Sequence, residues 1–231
     1  MTRLLATMLA TTVLAVAATA QSLTSLHSFA EFPKHPFANL AEGPDGSFYG
    51  TTAYGGSNNS GTVFRVTTNG VLTTLASFGV TNGATPYAGL LWGGDGNFYG
   101  TTWSGGSDGA GTVFKVTLGG TLTTLVNFTG NNGANPYAGL ALGGDGNFYG
   151  TTANGGILHF GTVFRVTPSG ALTTMVKFAV TNGASPYGEL ALGGDGNFYG
   201  TTYEGGGWDY GTVFRMNLSG TLTTLVEFTG T

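Results

Sequence analysis

The chain has 231 residues, of which 43 are glycine, 8% are charged and 41% are hydrophobic, with a 13% aromatic share. Glycine stands at more than twice its usual share of about 7%, but so many aromatics and such regularly placed glycines exclude a disordered low-complexity chain. Seven Lys plus Arg against eleven Asp plus Glu give a net charge of −4, which excludes the basic surface that binds a phosphate backbone by counterion release, so no nucleic-acid partner is expected.

In chain order, the first element is residues 1–20. Arg3 precedes an apolar run from Leu4 to Val16, and Ala18-Thr19-Ala20 closes it with small residues. That is the layout of a secretory signal peptide cleaved after Ala20, so the chain is expected to be exported, to the cell surface, the medium or the periplasm. The run is short and rich in Ala and Thr for a span of about 30 Å of hydrocarbon. No second apolar run follows, and no transmembrane segment is expected after cleavage. The chain has no Cys, which excludes disulfides, thiolate metal sites and a Cys nucleophile.

Residues 21–30 contain Leu23-Thr24-Ser25-Leu26-His27-Ser28-Phe29, which matches Leu72-Thr73-Thr74-Leu75-Ala76-Ser77-Phe78. It reads as an orphan outer strand lacking the strands that would precede it. From there a unit of 50 residues repeats four times, over about 31–80, 81–130, 131–180 and 181–230. Its fixed points are Asp-Gly at Asp45, Asp95, Asp145 and Asp195, a Gly pair at Gly55, Gly105, Gly155 and Gly205, and Gly-Thr-Val-Phe at Gly61, Gly111, Gly161 and Gly211. Leu-Thr-Thr at Leu72, Leu122, Leu172 and Leu222 completes the set.

In the third unit, residues 138–142 read as a short strand and Gly143-Gly144-Asp145-Gly146 as a tight hairpin turn with positive φ angles at Asp-Gly. Residues 147–152, 161–167 and 171–178 read as three further strands. Nothing has helical spacing. Four short antiparallel strands per unit predict an all-β fold, a β-propeller of four 50-residue blades plus the orphan N-terminal strand. A β-solenoid is the competing architecture, and the hairpin turns argue against it. Seventeen strands exceed the sixteen that four blades hold, and Thr229-Gly230-Thr231 stops inside what is elsewhere a linker. The expectation is a fragment of a larger propeller, with more blades and a sorting segment beyond Thr231.

The run Gly-Gly-Asp-Gly-Asn-Phe-Tyr-Gly-Thr-Thr, then Gly-Gly, then Gly-Thr-Val-Phe-Arg-Val-Thr-Pro-Ser-Gly-Ala-Leu-Thr-Thr, residues 143–174, resembles the bacterial GloVer tandem-repeat family. The resemblance covers nearly the whole chain after residue 20. It implies a propeller-like fold and an exported protein that carries one of several C-terminal anchors, and it implies no activity. The period and the Gly pair are also similar to kelch repeats, without the rest of that pattern.

The four Asp residues and the cations Arg65, Lys115, Arg165 and Arg215 form rings by symmetry. Hairpin chemistry accounts for the first and surface packing of long stems for the second. The Thr-Thr pairs have no partner base, and His27, His35 and His159 fall at unrelated repeat positions, so neither a metal nor another cofactor is expected. The copies differ most between their second and third strands. There the residues Tyr54, Trp103, His159, Phe160, Tyr203, Glu204, Trp208, Asp209 and Tyr210 make a candidate ligand-binding rim, because loops on a rigid scaffold concentrate binding groups. The leading expectation is a noncatalytic exported module that binds a glycan or a protein through these loops. A polysaccharide hydrolase or lyase and a structural spacer remain the alternatives.

Overall fold

The structure, a computed structural model, describes residues 34–230. The expected signal peptide at 1–20 and orphan strand at 23–29 lie outside the described residues. Each repeat forms one four-stranded antiparallel sheet, with strands in chain order across it. The first blade comprises β1 (Ala41–Glu42), β2 (Phe48–Thr52), β3 (Thr62–Val66) and β4 (Leu72–Ser77). The second has β5 (Leu91–Trp92), β6 (Asn97–Thr102), β7 (Thr112–Thr117) and β8 (Leu122–Asn127). The third has β9 (Ala141–Leu142), β10 (Phe148–Thr152), β11 (Thr162–Val166) and β12 (Leu172–Lys177), and the fourth has β13 (Ala191–Leu192), β14 (Phe198–Thr202), β15 (Thr212–Met216) and β16 (Leu222–Glu227). Among the described residues the one helical segment is a 3₁₀ turn at Val180–Asn182, and no helix is long and apolar enough to cross a membrane.

The first strand of each blade is shorter than its sequence suggests. Only Ala141 and Leu142 of the 138–142 run pair with β10, because the backbone upstream bonds to the preceding blade instead. The Thr101 hydroxyl donates to the Ala138 carbonyl at 2.9 Å, Thr51 reaches Ala88 at 2.8 Å and Thr151 reaches Gly188 at 3.2 Å. These side chains satisfy buried carbonyls that a ladder would otherwise serve. The last Thr of each second strand is also used internally, as Thr102 bonds Thr112 at 2.8 Å and Thr152 bonds Thr162 at 2.8 Å.

The hairpin between first and second strands closes differently from the expected two-residue turn. In the third blade Gly143 N donates to the Asn147 carbonyl at 2.8 Å and Gly146 N to the Gly143 carbonyl at 3.0 Å. Gly146 takes φ +76°, whereas Asp145 does not take a positive φ, so the connection is a three-residue loop with one left-handed glycine. The aspartate acts through its side chain. Asp145 accepts the Asn147 amide at 3.2 Å and the Tyr149 hydroxyl at 2.9 Å, and Asp95 accepts Asn97 N at 3.1 Å and Tyr99 at 2.7 Å.

This pairing ties stability to pH at both ends. Partial desolvation pushes the Asp95 and Asp145 carboxyls up, but the bonds from Tyr99, Asn97, Asn147 and Tyr149 outweigh it and hold both below the usual 3.8. Burial first, and then the bonded aspartate, raise the Tyr99 and Tyr149 phenols, Tyr149 to about 12. A lowered carboxyl adds stability above about pH 4 that is lost as pH falls through its folded pKa, and a raised phenol adds stability below about pH 10 that is lost as pH rises through its own. The Asp95→Asn, Asp145→Asn double variant should be less stable at pH 7. Its denaturant midpoint should also fall less steeply than the parent's below pH 4, and parallel profiles would refute the pairing.

Blades stack through aromatic pairs at fixed repeat positions. Tyr49 meets Phe98 at 4.5 Å, Tyr99 meets Phe148 at 4.0 Å and Tyr149 meets Phe198 at 4.2 Å between ring centroids. After each outer strand, Phe78, Phe128 and Phe178 pack edge-on against Phe114, Phe164 and Phe214 of the next blade. Three apolar clusters result, one between each successive pair of blades. A bulge between third and fourth strands recurs in every blade, at Val63/Phe64, Val113/Phe114, Val163/Phe164 and Val213/Phe214, and it adds local twist where the next blade is received.

Candidate functional site

Each blade is entered through a residue, a proline and an aromatic: His35-Pro36-Phe37, Thr85-Pro86-Tyr87, Asn135-Pro136-Tyr137 and Ser185-Pro186-Tyr187. The residue before proline sits at φ +58°, +56°, +55° and +53° in turn. Left-handed backbone is uncommon for non-glycine residues and least comfortable for the β-branched Thr85. Hydrogen bonds to neighbouring elements hold it there. Asn135 N donates to the Ala110 carbonyl at 2.7 Å, and the Asn135 carbonyl accepts Ala153 N at 3.1 Å. Thr85 is held by Ser60 and Trp103, and Ser185 by Phe160 and Tyr203, in the same way. Backbone strain of this kind, fixed by its surroundings, concentrates at functional sites.

The strained linkers turn four rings toward one mouth. Phe37 meets Tyr87 at 5.5 Å, Tyr87 meets Tyr137 at 5.0 Å and Tyr137 meets Tyr187 at 5.6 Å. They cap a cavity of about 370 Å³ whose walls include Ala88, Leu90, Ala138, Leu140, Asn39 and Glu189. The innermost strands meet beside it, β1 with β5 and β9 with β13. At one repeat position the wall carries Asn39, Gly89, Gly139 and Glu189. A Cβ placed on Gly139 would stand 3.0 Å from Glu189 Oε2, so this carboxylate leans over space that the glycine leaves open. Glu189 remains exposed at the mouth, yet desolvation by the surrounding walls raises its pKa. A hydrogen bond with Tyr54, and then burial, push the Tyr87 phenol up to about 12.

The structure divides the nine rim residues into groups. Trp103 reaches the mouth, 6.2 Å from Tyr87 and 5.8 Å from Tyr137. Tyr203 flanks Tyr187 at 5.9 Å and Tyr54 flanks His35 at 5.4 Å, so these three extend the aromatic surface. The loop tips lie apart from it, beside the ends of the outer strands, where Ser107 N bonds Asn127 and Gly207 N bonds Glu227. His159 and Trp208 are exposed there, whereas Tyr210, exposed next to Gly230, lines a pocket together with Tyr187 and Tyr203. Phe160 packs against the core between the third and fourth blades. The Asp209 carboxylate accepts Gly205 N at 2.9 Å, as Asn59 accepts Gly55 N at 3.1 Å, which is loop closure. Glu204 pairs through its backbone with Ala184, and its side chain is exposed.

Rim-loop variation could not disclose Tyr87, Tyr137, Tyr187 or Glu189, which belong to linkers and first strands. The signal for the rings is the Pro-aromatic pair repeated every 50 residues. Glu189 is signalled only by a charge standing where other copies carry Asn or Gly. Among the described residues no group of three or more His, Asp or Glu converges as a metal site would require.

Four four-stranded sheets packed blade against blade define a β-propeller fold, and comparison with solved structures agrees. The chain is similar to virginiamycin B lyase from Staphylococcus aureus, with a TM-score of 0.59 and 17% identity over 85% of this chain and 57% of that one. It is similar to a gluconolactonase from Xanthomonas campestris (0.55, 14%, 83% and 62%) and to the periplasmic gluconolactonase of Pseudomonas aeruginosa (0.52, 15%, 85% and 59%). The chain thus spans less than two thirds of each, and at these identities the likeness carries the fold alone. No curated protein sequence matches it. The chain belongs to the Gloeobacter/Verrucomicrobia repeat family, whose model matches residues 35–231.

Proposed function

We propose that the protein is a noncatalytic exported binding module that holds a glycan against the aromatic mouth of its channel. The observation that carries this reading is the continuous arc of Phe37, Tyr87, Tyr137 and Tyr187, flanked by Trp103 and Tyr203. Such rings offer apolar faces for the C–H face of a sugar and hydroxyls for its polar edge, at little conformational cost. Strained but fixed linkers present them already ordered, which reduces what binding must spend on loop ordering. Export rests on residues 1–20.

Catalysis on a polysaccharide is the second reading, because the cavity holds a carboxylate whose pKa burial raises. Acid–base glycoside cleavage ordinarily takes two carboxylates flanking one bond, and Glu189 is the one acid among the described lining residues. Binding of the intact protein to a glycan panel, read by affinity electrophoresis and calorimetry, tests the proposal. Trp103→Ala and Tyr137→Ala should each weaken binding about thirtyfold, or about 2 kcal/mol, with the thermal midpoint unchanged to within a few degrees. A folded protein that binds no glycan sinks the proposal, and turnover of any bound glycan replaces it with the enzyme reading.

A further inference from the structure

Among the described residues, Glu189 is the only charged side chain lining the channel cavity, and none of them places a Lys or Arg on its walls. Its carboxylate leans toward Gly139, where the repeat leaves no side chain, so a ligand group can approach it from the cavity side. Tyr87, Tyr137 and Tyr187 line the same cavity. Aromatic faces carry the negative side of the ring quadrupole and attract cations that come within about 6 Å. A carboxylate at the edge of such a surface adds a charge-assisted hydrogen bond to an ammonium group. An anionic ligand would meet repulsion from both. A neutral sugar would be accepted by the rings without using the carboxylate.

We infer that the channel mouth selects a glycan carrying free, protonated amines, of the β-linked glucosamine type, with Glu189 as the residue that binds the ammonium group. This rests on the glycan-binding reading and specifies its ligand class. The other three copies have Asn39, Gly89 and Gly139 at this position, so among these four blades the selection comes from the fourth.

The test compares three soluble hexasaccharides of matched linkage, of glucosamine, N-acetylglucosamine and glucose, by calorimetry at pH 6 and low salt. The glucosamine oligomer should bind about tenfold or more tighter than the other two, and its advantage should shrink at 0.5 M NaCl, where exposed ion pairs are screened. Glu189→Gln should abolish the advantage, so that the glucosamine oligomer binds no tighter than the glucose oligomer. Gln keeps the shape of the exposed side chain, and an unchanged unfolding midpoint confirms the fold. Equal affinity for all three oligomers in the parent, or an amine preference that survives Glu189→Gln, overturns this inference while the glycan-binding reading stands. Absence of binding to every oligomer overturns both.

Discussion

Phe128→Ala should destabilise the protein by about 3–5 kcal/mol, and Phe228→Ala, at the same position of the next-but-one repeat, by about 1 kcal/mol or less. The two side chains leave identical outer-strand sequences, Leu122-Thr123-Thr124-Leu125-Val126 and Leu222-Thr223-Thr224-Leu225-Val226. Local propensity therefore cannot distinguish them. Burial does, because Phe128 is 0% exposed and Phe228 48% exposed. Phe128 fills the space between the second and third blades, edge-on to Phe164 at 5.1 Å, in a cluster with Tyr99, Leu140 and Phe148. Removing it leaves a cavity in close-packed surroundings that cannot collapse around a four-stranded sheet, and the cost is transfer plus cavity. Denaturant unfolding of the 231-residue chain with either substitution gives the answer. Equal losses would mean that the phenylalanine supports its own strand rather than the joint between blades.

The repeat and its hairpins were legible because the chemistry that makes them is local. Asp-Gly turns and Gly-Thr-Val-Phe, with Val and Phe adjacent, recur at a fixed spacing, and strands appear where these signals place them. The first strand is shorter than its sequence suggests, because the carbonyl of the strand-like Ala138 is taken by Thr101 of the preceding blade, a contact that no local signal carries. The rim was half legible. Trp103, Tyr203 and Tyr54 stand out as differences between copies and do reach the mouth, but Tyr87, Tyr137 and Tyr187 are nearly invariant across the repeats and read as scaffold. An arc built by repetition is hidden from any search for variation, since each copy supplies the same kind of group. Asp209 shows the converse, a charged residue in a variable loop whose carboxylate is occupied by Gly205 N. Its equivalent Asn59 does the same with an amide oxygen, so the variation there is exchange between two acceptors.

Gly111→Ala should cost about 3 kcal/mol or more, while Gly144→Ala should change stability by about 0.5 kcal/mol or less. Gly111 has φ +96°, and an added Cβ would stand 2.4 Å from the Thr102 carbonyl oxygen and 2.7 Å from Pro136 Cδ. Both obstacles are backbone or ring atoms fixed in place, one within the blade and one in the linker that carries Tyr137. Relief must therefore come from moving a strand or a blade, which adds overpacking to the cost of an unfavourable dihedral. Gly144 has open space around its Cβ direction, and the first repeat carries Pro44 at that position, so a side chain fits. Substituting alanine there also narrows the unfolded ensemble, which offsets any small loss. The Gly111→Ala change should disturb the channel mouth as well as stability, because the clash falls on Pro136, next to the ring that meets Tyr87 and Tyr187. Below its lowered melting temperature, that variant is expected to bind glycan more weakly than Gly144→Ala. If its affinity is intact, the linker adjusts independently of the third strand, and the strained residues before proline do not fix the rings in place.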